Sequence, residues 1–276
     1  VKEDGTMNKE QVAAMYRGEK MSQVEIADAI GVSQSTISYW MRKWGLKRRE
    51  REWKISGSRV KYSFNSERVN ILDDNLAWVL GWIVGDGNVR QEGLEFYLSE
   101  KDADVLFSIR EVFGFNGPIS KREVYLEKTG RSYGQVSLSI RRKELATWLI
   151  DAGIAPCKSQ SETYPNMFQG KPDSIHCAFI RGLFEADGTI TRYSTGQMVF
   201  QIVGTKELLT SVQDKLITFL GLRKTKLYRQ KRSKNHFMLR YVGNKQVVRI
   251  MELLYSYGDY KLKRKHSRYQ ELKEAA

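Results

Sequence analysis

Two nine-residue stretches lying 101 positions apart repeat one design: Val79-Leu80-Gly81-Trp82-Ile83-Val84-Gly85-Asp86-Gly87 and Ile180-Arg181-Gly182-Leu183-Phe184-Glu185-Ala186-Asp187-Gly188. Each reads as an apolar helix that carries small residues at fixed places and stops on Asp-Gly. The repeat constrains the chain to two related half-domains, each delivering one carboxylate to a shared point. Gly81 with Gly85, and Gly182 with Ala186, fall at i, i+4 on one helix face. Small residues there let two backbones approach closely, while Trp82, Ile83, Leu183 and Phe184 turn into flanking cores. If the two helices pack side by side, Asp86 and Asp187 meet at one end.

A carboxylate in the last turn of a helix faces orphan carbonyls and the negative end of the macrodipole. Gly87 and Gly188 suit the left-handed position that ends a helix. Carboxylate and carbonyl oxygens are what a hard divalent cation takes as ligands. A Mg²⁺ ion would turn the local repulsion into a coordination site, and two such acids suit phosphodiester hydrolysis. Turn chemistry accounts for one Asp-Gly without any catalysis. Two copies, at a spacing that fits one αββαββα half-domain, argue against so plain a reading.

On these residues the chain resembles the LAGLIDADG family of homing endonucleases, in its single-chain, double-motif form. Both copies keep the central Gly (Gly81, Gly182), the small residue before the acid (Gly85, Ala186), the acid (Asp86, Asp187) and the closing Gly (Gly87, Gly188). The resemblance runs from about Leu72 to the C terminus. It implies an α+β fold of two pseudo-symmetric αββαββα half-domains, a saddle over a long, imperfectly palindromic double-stranded DNA site, and a monomer. It further implies Mg²⁺, with Mn²⁺ substituting, held by Asp86 and Asp187 and completed by the backbone carbonyls of Gly85 and Ala186. One strand would be cut per half.

The family also places basic helpers near the scissile phosphates. Lys101, after the strand Phe96-Tyr97-Leu98, matches its strand-to-helix lysine; the counterpart in the second half is Gly204-Thr205, so the feature occurs once. Lys158, closing Gly153-Ile154-Ala155-Pro156-Cys157-Lys158, matches the Gly-Ile-x-Pro-x-Lys segment, with Lys263 or Lys265 as its partner. A lysine there polarises an attacking water or stabilises pentacoordinate charge; phosphate contact alone is the plainer role. Two other functions stay open. Related DNA-binding regulators have lost the acids, and some members act as maturases on host intron RNA. Both acids are intact here, which favours the nuclease, intron-encoded or freestanding, since no intein splicing ends flank the chain.

Composition agrees with a polyanionic partner. The net charge is +14 over 276 residues, and from Gly221 to Ala276 there are 16 Lys and Arg against 4 Asp and Glu. Aromatics threaded through that stretch (Tyr228, Phe237, Tyr241, Tyr255, Tyr257, Tyr260, Tyr269) suggest folded basic surface. No apolar run reaches membrane-spanning length and no secretory signal opens the chain, which fits a protein of the cytoplasm, nucleoid or organelle matrix without a membrane partner. Cys157 and Cys177 lack zinc spacing, Cys177 reads as core, and His176, His236 and His266 are too few for a histidine-metal nuclease centre.

Residues 1–46 read as a helix-turn-helix domain. Asn8 starts a helix to about Tyr16, Ser22 with Glu25 forms a capping box for Gln23–Ile30, Gly31-Val32-Ser33 turns, and Gln34–Trp44 follows. Ala27 allows the helices to cross, and Ile26, Ile30, Val32, Ile37 and Trp40 fill a small core. The last helix then offers Gln34, Ser35, Thr36, Ser38, Tyr39 and Arg42 to base edges and phosphates in a major groove. Residues 47–70 form a basic linker whose Arg48 and Arg49 cross phosphates. The half-domains occupy 71–166 and 167–276. In the second, strands Lys224–Lys231 and Phe237–Val242 alternate, presenting Tyr228, Gln230, Arg232 and Arg240 on an open face able to enter the major groove.

Overall fold

The computed structural model describes residues 8–19, 21–46, 61–127, 130–154, 162–230 and 235–275. The chain divides into two units, Val1–Val60 and Lys61–Ala276. In the first, the Asn8 side chain accepts the Glu10 and Gln11 amides and starts α1 (Lys9–Ala13), which widens into a π-type turn over Ala14–Gly18. Ser22 and Glu25 form the capping box of α2 (Gln23–Ile30), with Glu25 accepting the Ser22 amide and Ser22 Oγ accepting the Glu25 amide. Gly31 at φ 75° ends α2 in the left-handed region, and Ser33 caps α3 (Gln34–Lys43) by accepting the Thr36 amide.

The small core holds Val12, Tyr16, Ile26, Ala27, Ile37 and Met41. Trp40, expected inside, is only half-buried: Met41 takes the buried position beside Ile37, and Trp40 packs its ring against Trp44 at 5.3 Å with the Lys43 ammonium 4.6 Å from its centroid.

The second unit begins earlier than the linker reading placed it. Residues 61–70 fold onto the core through Tyr62, Phe64 and Val69. The Asn65 amide donates to the Phe113 carbonyl at 3.1 Å, the Ser63 amide donates to Asn116 Oδ1 at 2.7 Å, and a 3-10 turn covers Ser66–Asn70. These few aromatic positions, spaced two apart in a polar stretch, anchor what composition alone reads as a tether.

Asp73 caps α4 (Asp74–Gly85), accepting the Leu76 amide at 2.8 Å while Arg68 grips the same carboxylate. There follow β1 (Gly87–Arg90), β2 (Gly93–Ser99), a 3-10 turn at Glu100–Asp102, α5 (Ala103–Val112), β3 (Ile119–Leu126), β4 (Arg131–Ile140) and α6 (Lys143–Asp151). The order then repeats with α7 (Asp173–Asp187), β5 (Gly188–Arg192), β6 (Met198–Gly204), α8 (Lys206–Leu220), β7 (Tyr228–Arg229), β8 (Phe237–Val242) and α9 (Asn244–Tyr255). Each half is therefore αββαββα. The two antiparallel sheets have the same strand order, β1-β2-β4-β3 and β5-β6-β8-β7.

Four elements depart from the sequence expectation. Strands β1 and β5 start on the glycine after each acid, with no loop between helix and strand, and pair as Gly87↔Phe96 and Gly188↔Ile202. Strand β7 is confined to two residues. A further helix, α10 (Lys263–Glu274), buries Lys265, Tyr269 and Leu272. Helices α4 and α7 are the central elements, buried along nearly their whole lengths, with the apolar faces of both sheets closing on the one core.

Candidate active site at the ends of two packed helices

The repeated glycines allow α4 and α7 to touch backbone to backbone. A Cβ added at Gly81 would lie 2.2 Å from the Phe179 carbonyl oxygen and 2.6 Å from the Leu183 nitrogen; one at Gly182 would lie 2.1 Å from the Trp78 oxygen. At the next turn a Cβ on Gly85 would meet the Ala186 methyl at 2.4 Å and Asp187 Oδ2 at 3.0 Å. The Asp187 carboxylate thus lies against the backbone of α4 one residue before Asp86. The two acids end their helices at a common place.

Gly87 and Gly188 do not adopt the left-handed conformation expected of them. Gly188 is extended at φ −98°, and neither is among the positive-φ glycines. Close approach explains both residues. A Cβ at Gly87 would sit 2.7 Å from the Ile83 Cα, and one at Gly188 would sit 2.3 Å from the Phe184 ring and 2.5 Å from its carbonyl oxygen. Each strand doubles back tightly over the helix it leaves, and this carries the acid to the seam between helix and sheet.

Of the two candidates Lys263 and Lys265, it is Lys265 of α10 that reaches this seam. Its Nζ donates to the carbonyls of Gly188 at 2.6 Å and Phe184 at 2.9 Å, and approaches that of Ala186 at 3.4 Å. The ammonium satisfies carbonyls at the C-terminal end of α7, where the helix dipole favours a cation. Burial holds it below the ordinary lysine range, at about 8; Arg264 pushes the same way, while Glu185, Asp187 and Asp86 pull it back up. Lys263 is exposed, one residue short of Arg264, whose guanidinium binds Asp102. A cavity of about 530 Å³ opens beside Lys265, lined by Gly188, Thr189, Ile190, Arg264, Arg268 and Glu271.

Lys101 lies exposed in the 3-10 turn whose Asp102 holds Arg264, so its segment is tied to the helix carrying Lys265. Lys158, Arg48, Arg49 and Arg232 lie outside the described residues. Among the described residues no group of three or more His, Cys, Asp or Glu side chains is placed to hold a metal ion. Cation ligands at the seam would therefore be the two carboxylates, backbone oxygens and whatever a bound polyanion adds. The Ala186 carbonyl already lies 3.4 Å from the Lys265 ammonium.

Sequence reading passed over the polar pair inside α7. Arg181 and Glu185 are each 1% exposed, although a helix this deeply buried normally carries apolar residues. Glu185 Oε2 accepts the Trp78 indole N–H at 2.7 Å and the Trp82 indole N–H at 3.4 Å. Arg181 donates to the carbonyls of Tyr257 and Leu254. Burial pushes the Glu185 carboxyl up, while the Trp78 indole, Arg181 and the Leu262 amide act in the opposite direction. The available signal was the comparison of copies, since the matching positions of α4 are Leu80 and Val84.

The solvent faces of the sheets carry the residues expected of a groove-binding surface and more. In the second sheet Tyr228 is half exposed, the Arg240 guanidinium lies 5.7 Å from its ring centroid and donates to Tyr193 Oη, and the Gln230 amide bonds the His236 carbonyl. The first sheet repeats the device with residues not singled out from sequence: Arg122 lies 5.6 Å from the Tyr97 ring and donates to Gln135 Oε1 at 2.8 Å, and Arg90 pairs with Glu95. In the first unit, Gln34, Ser35, Tyr39 and Arg42 are exposed on α3, and Thr36 and Ser38 are partly so. Ser35 and Thr36 share the Ser33 hydroxyl, and Gln34 donates to Gln23. Cys177 is a buried core thiol, pushed up to about 12 by burial first and then by Asp173 and Asp74. Among the described residues no helix is long and apolar enough to cross a membrane.

Residues 174–255 match the family described as a LAGLIDADG-like domain. Among solved structures, the full-length DUF199/WhiA from Thermatoga maritima is similar at 15% identity and a TM-score of 0.46, over 75% of this chain and 63% of its own, so this chain spans under two thirds of that protein's length. The meganuclease I-SmaMI bound to uncleaveable DNA is similar at 14% identity and a TM-score of 0.47, over 71% of this chain and 88% of its own. The LAGLIDADG homing endonuclease I-LtrWI bound to target DNA is similar at 11% identity and 0.46, over 76% and 90%.

Proposed function

We propose that this chain, which carries a LAGLIDADG-like domain over residues 174–255, is a site-specific double-strand DNA endonuclease. The observation that carries the reading is the placement of Asp187 Oδ2 against Gly85, which sets two helix-terminal acids side by side at a basic seam. Asp86 and Asp187, with the backbone carbonyls of Gly85 and Ala186, would hold Mg²⁺ or Mn²⁺. A cation held there would supply an activated water and charge stabilisation at the phosphate oxygens. Lys265 holds the end of α7 in place and puts positive charge beside the acids. Arg264, Arg268 and Lys101 would supply phosphate contacts to the bound DNA. The Arg–Tyr pairs on the two sheets, Arg122 with Tyr97 and Arg240 with Tyr228, face the duplex and read base edges.

The first unit anchors the protein to flanking DNA. Its support is the turn chemistry of Gly31 and Ser33, which frees one face of α3 to enter a major groove with Gln34, Ser35, Tyr39 and Arg42 foremost. The protein acts as a monomer, because both acids come from one chain.

The test is cleavage of a plasmid carrying the uninterrupted DNA of the protein's own insertion locus, with and without Mg²⁺. Metal-dependent linearisation that disappears in both Asp86→Asn and Asp187→Asn supports the nuclease. Tight binding without cutting by the wild type replaces it with a DNA-binding regulator, and retention of host intron RNA against excess duplex DNA points to a maturase.

A further inference from the structure

We infer that Glu185 is a positioning residue, which sets the axial register of α7 against α4 and so the spacing of Asp86 and Asp187. The inference rests on reading those two acids as the cation-holding pair.

A contact made of glycines fixes how closely two helices approach and does little to fix how far one slides along the other. Gly81, Gly182 and Gly85 present almost no side-chain relief at the crossing. Register then depends on directional contacts. Trp78 and Trp82 are one turn apart on α4, and their indole N–H groups converge on a single oxygen of Glu185 at 2.7 and 3.4 Å. Hydrogen bonds weaken steeply with distance and angle, so sliding α7 by part of a turn breaks one or both. Asp187 follows Glu185 by two residues on the same rigid helix, and any slip is passed to it undiminished.

The node is braced from behind. Arg181, one turn earlier on α7, ties to the carbonyls of Leu254 in the last turn of α9 and Tyr257 just beyond it. Over the same node, Tyr260 stacks near Trp78 at 5.7 Å, and Asn75 binds Asp259 through both its amide nitrogen and its oxygen. Buried polar side chains commonly do no more for stability than apolar residues of like volume. The presence of Arg181 and Glu185 in the second copy alone, where the first has Leu80 and Val84, fits a role in specifying one arrangement.

The deciding variant is Arg181→Leu with Glu185→Val, which gives α7 the residues of α4 at both positions. Mn²⁺ binding is followed by the electron paramagnetic resonance of the free aquo ion, alongside thermal melting and plasmid cleavage. The expected result is a folded protein melting no lower than wild type whose Mn²⁺ affinity falls about tenfold or more, the usual consequence of losing support behind a metal ligand. Glu185→Gln, which keeps an oxygen for the indoles, stays within about threefold of wild type on the same scale. A folded double variant with unchanged Mn²⁺ affinity overturns the inference. Should that variant not fold, Trp78→Phe decides: weaker Mn²⁺ binding supports the role, and wild-type binding refutes it.

The two readings fail separately. Wild-type protein that binds Mn²⁺ through Asp86 and Asp187 yet cuts no DNA removes the nuclease and leaves the register role standing. Binding unaltered by Asp86→Asn and Asp187→Asn removes both.

Discussion

Arg264 clasps Asp102 through two hydrogen bonds of 2.9 Å, joining α10 to the turn before α5 across 162 positions of chain. The bidentate fork is the strong form of an Arg–carboxylate pair, and Asp102 raises the Arg264 guanidinium above its ordinary value. It brings Lys101, adjacent to Asp102, toward the helix whose next residue is Lys265. A contribution from the first half and one from the second are thereby fastened beside one cavity.

Replacing Arg264 by Ala should cost little stability, about 1 kcal/mol or less, because the guanidinium is half exposed. Its effect on cleavage should be larger and should not add to that of Asp102→Asn. A double-mutant cycle on single-turnover rates measures this. Strict additivity would mean that the pair does not act as a unit.

The glycine contact gives the sharpest stability expectation. A methyl at Gly81 or Gly182 meets backbone atoms of the opposing helix, which have no rotamer to escape into. Gly81→Ala should therefore lose at least about 3 kcal/mol, the upper end of overpacking costs. Gly204→Ala, whose added Cβ would touch only Leu208 and Leu209 side chains at 3.3 Å and beyond, should lose far less. Urea midpoints for the two variants decide, and equal losses would contradict the backbone contact.

Acid should weaken the second unit through His176. The ring is 3% exposed, with Tyr164 Oη 2.8 Å from Nδ1, Lys215 Nζ 3.3 Å from Nε2, and the rings of Phe168 and Phe219 packed beside it. Burial first and the Lys215 charge second depress its pKa; Asp173 and the Lys171 backbone oppose them. The unfolded chain therefore binds the proton more readily, and stability falls as pH drops from about 6.5, the free histidine value, toward the depressed folded value. His176→Gln should flatten that part of the stability–pH curve in chemical denaturation. A curve as steep as wild type would assign the acid sensitivity elsewhere.

Much of this was legible in sequence because it follows from repetition. The motif copies gave the helix pair, the acids and the αββαββα order, and Ser22 with Glu25 gave the start of α2. What escaped depends on tertiary approach. Gly87 and Gly188 look like helix stops in one dimension, and only the strand folding back over Ile83 and Phe184 reveals why no side chain fits. Lys263 and Lys265 are indistinguishable by composition; the phase of α10, invisible in so polar a run, turns Lys265 inward. Arg181 and Glu185 were visible as charges in an apolar helix, but their partners lie on α4 and beyond α9.

Removing residues 1–60 tests whether the first unit is an anchor. That unit has its own core of Val12, Tyr16, Ile26, Ala27, Ile37 and Met41, and the second unit keeps its complete core without it. The shortened protein should fold and cut at the same positions. Its affinity should fall most at low salt and its salt dependence should flatten, since every phosphate contact removed takes about 0.9 from the slope of log K against log salt on duplex DNA. Filter binding across a salt series gives that slope, and sequencing of the cut ends gives the positions. Unchanged slope and affinity would mean that α3 does not touch DNA. Shifted cuts would mean that the unit helps to choose where the acids act, and is more than a tether.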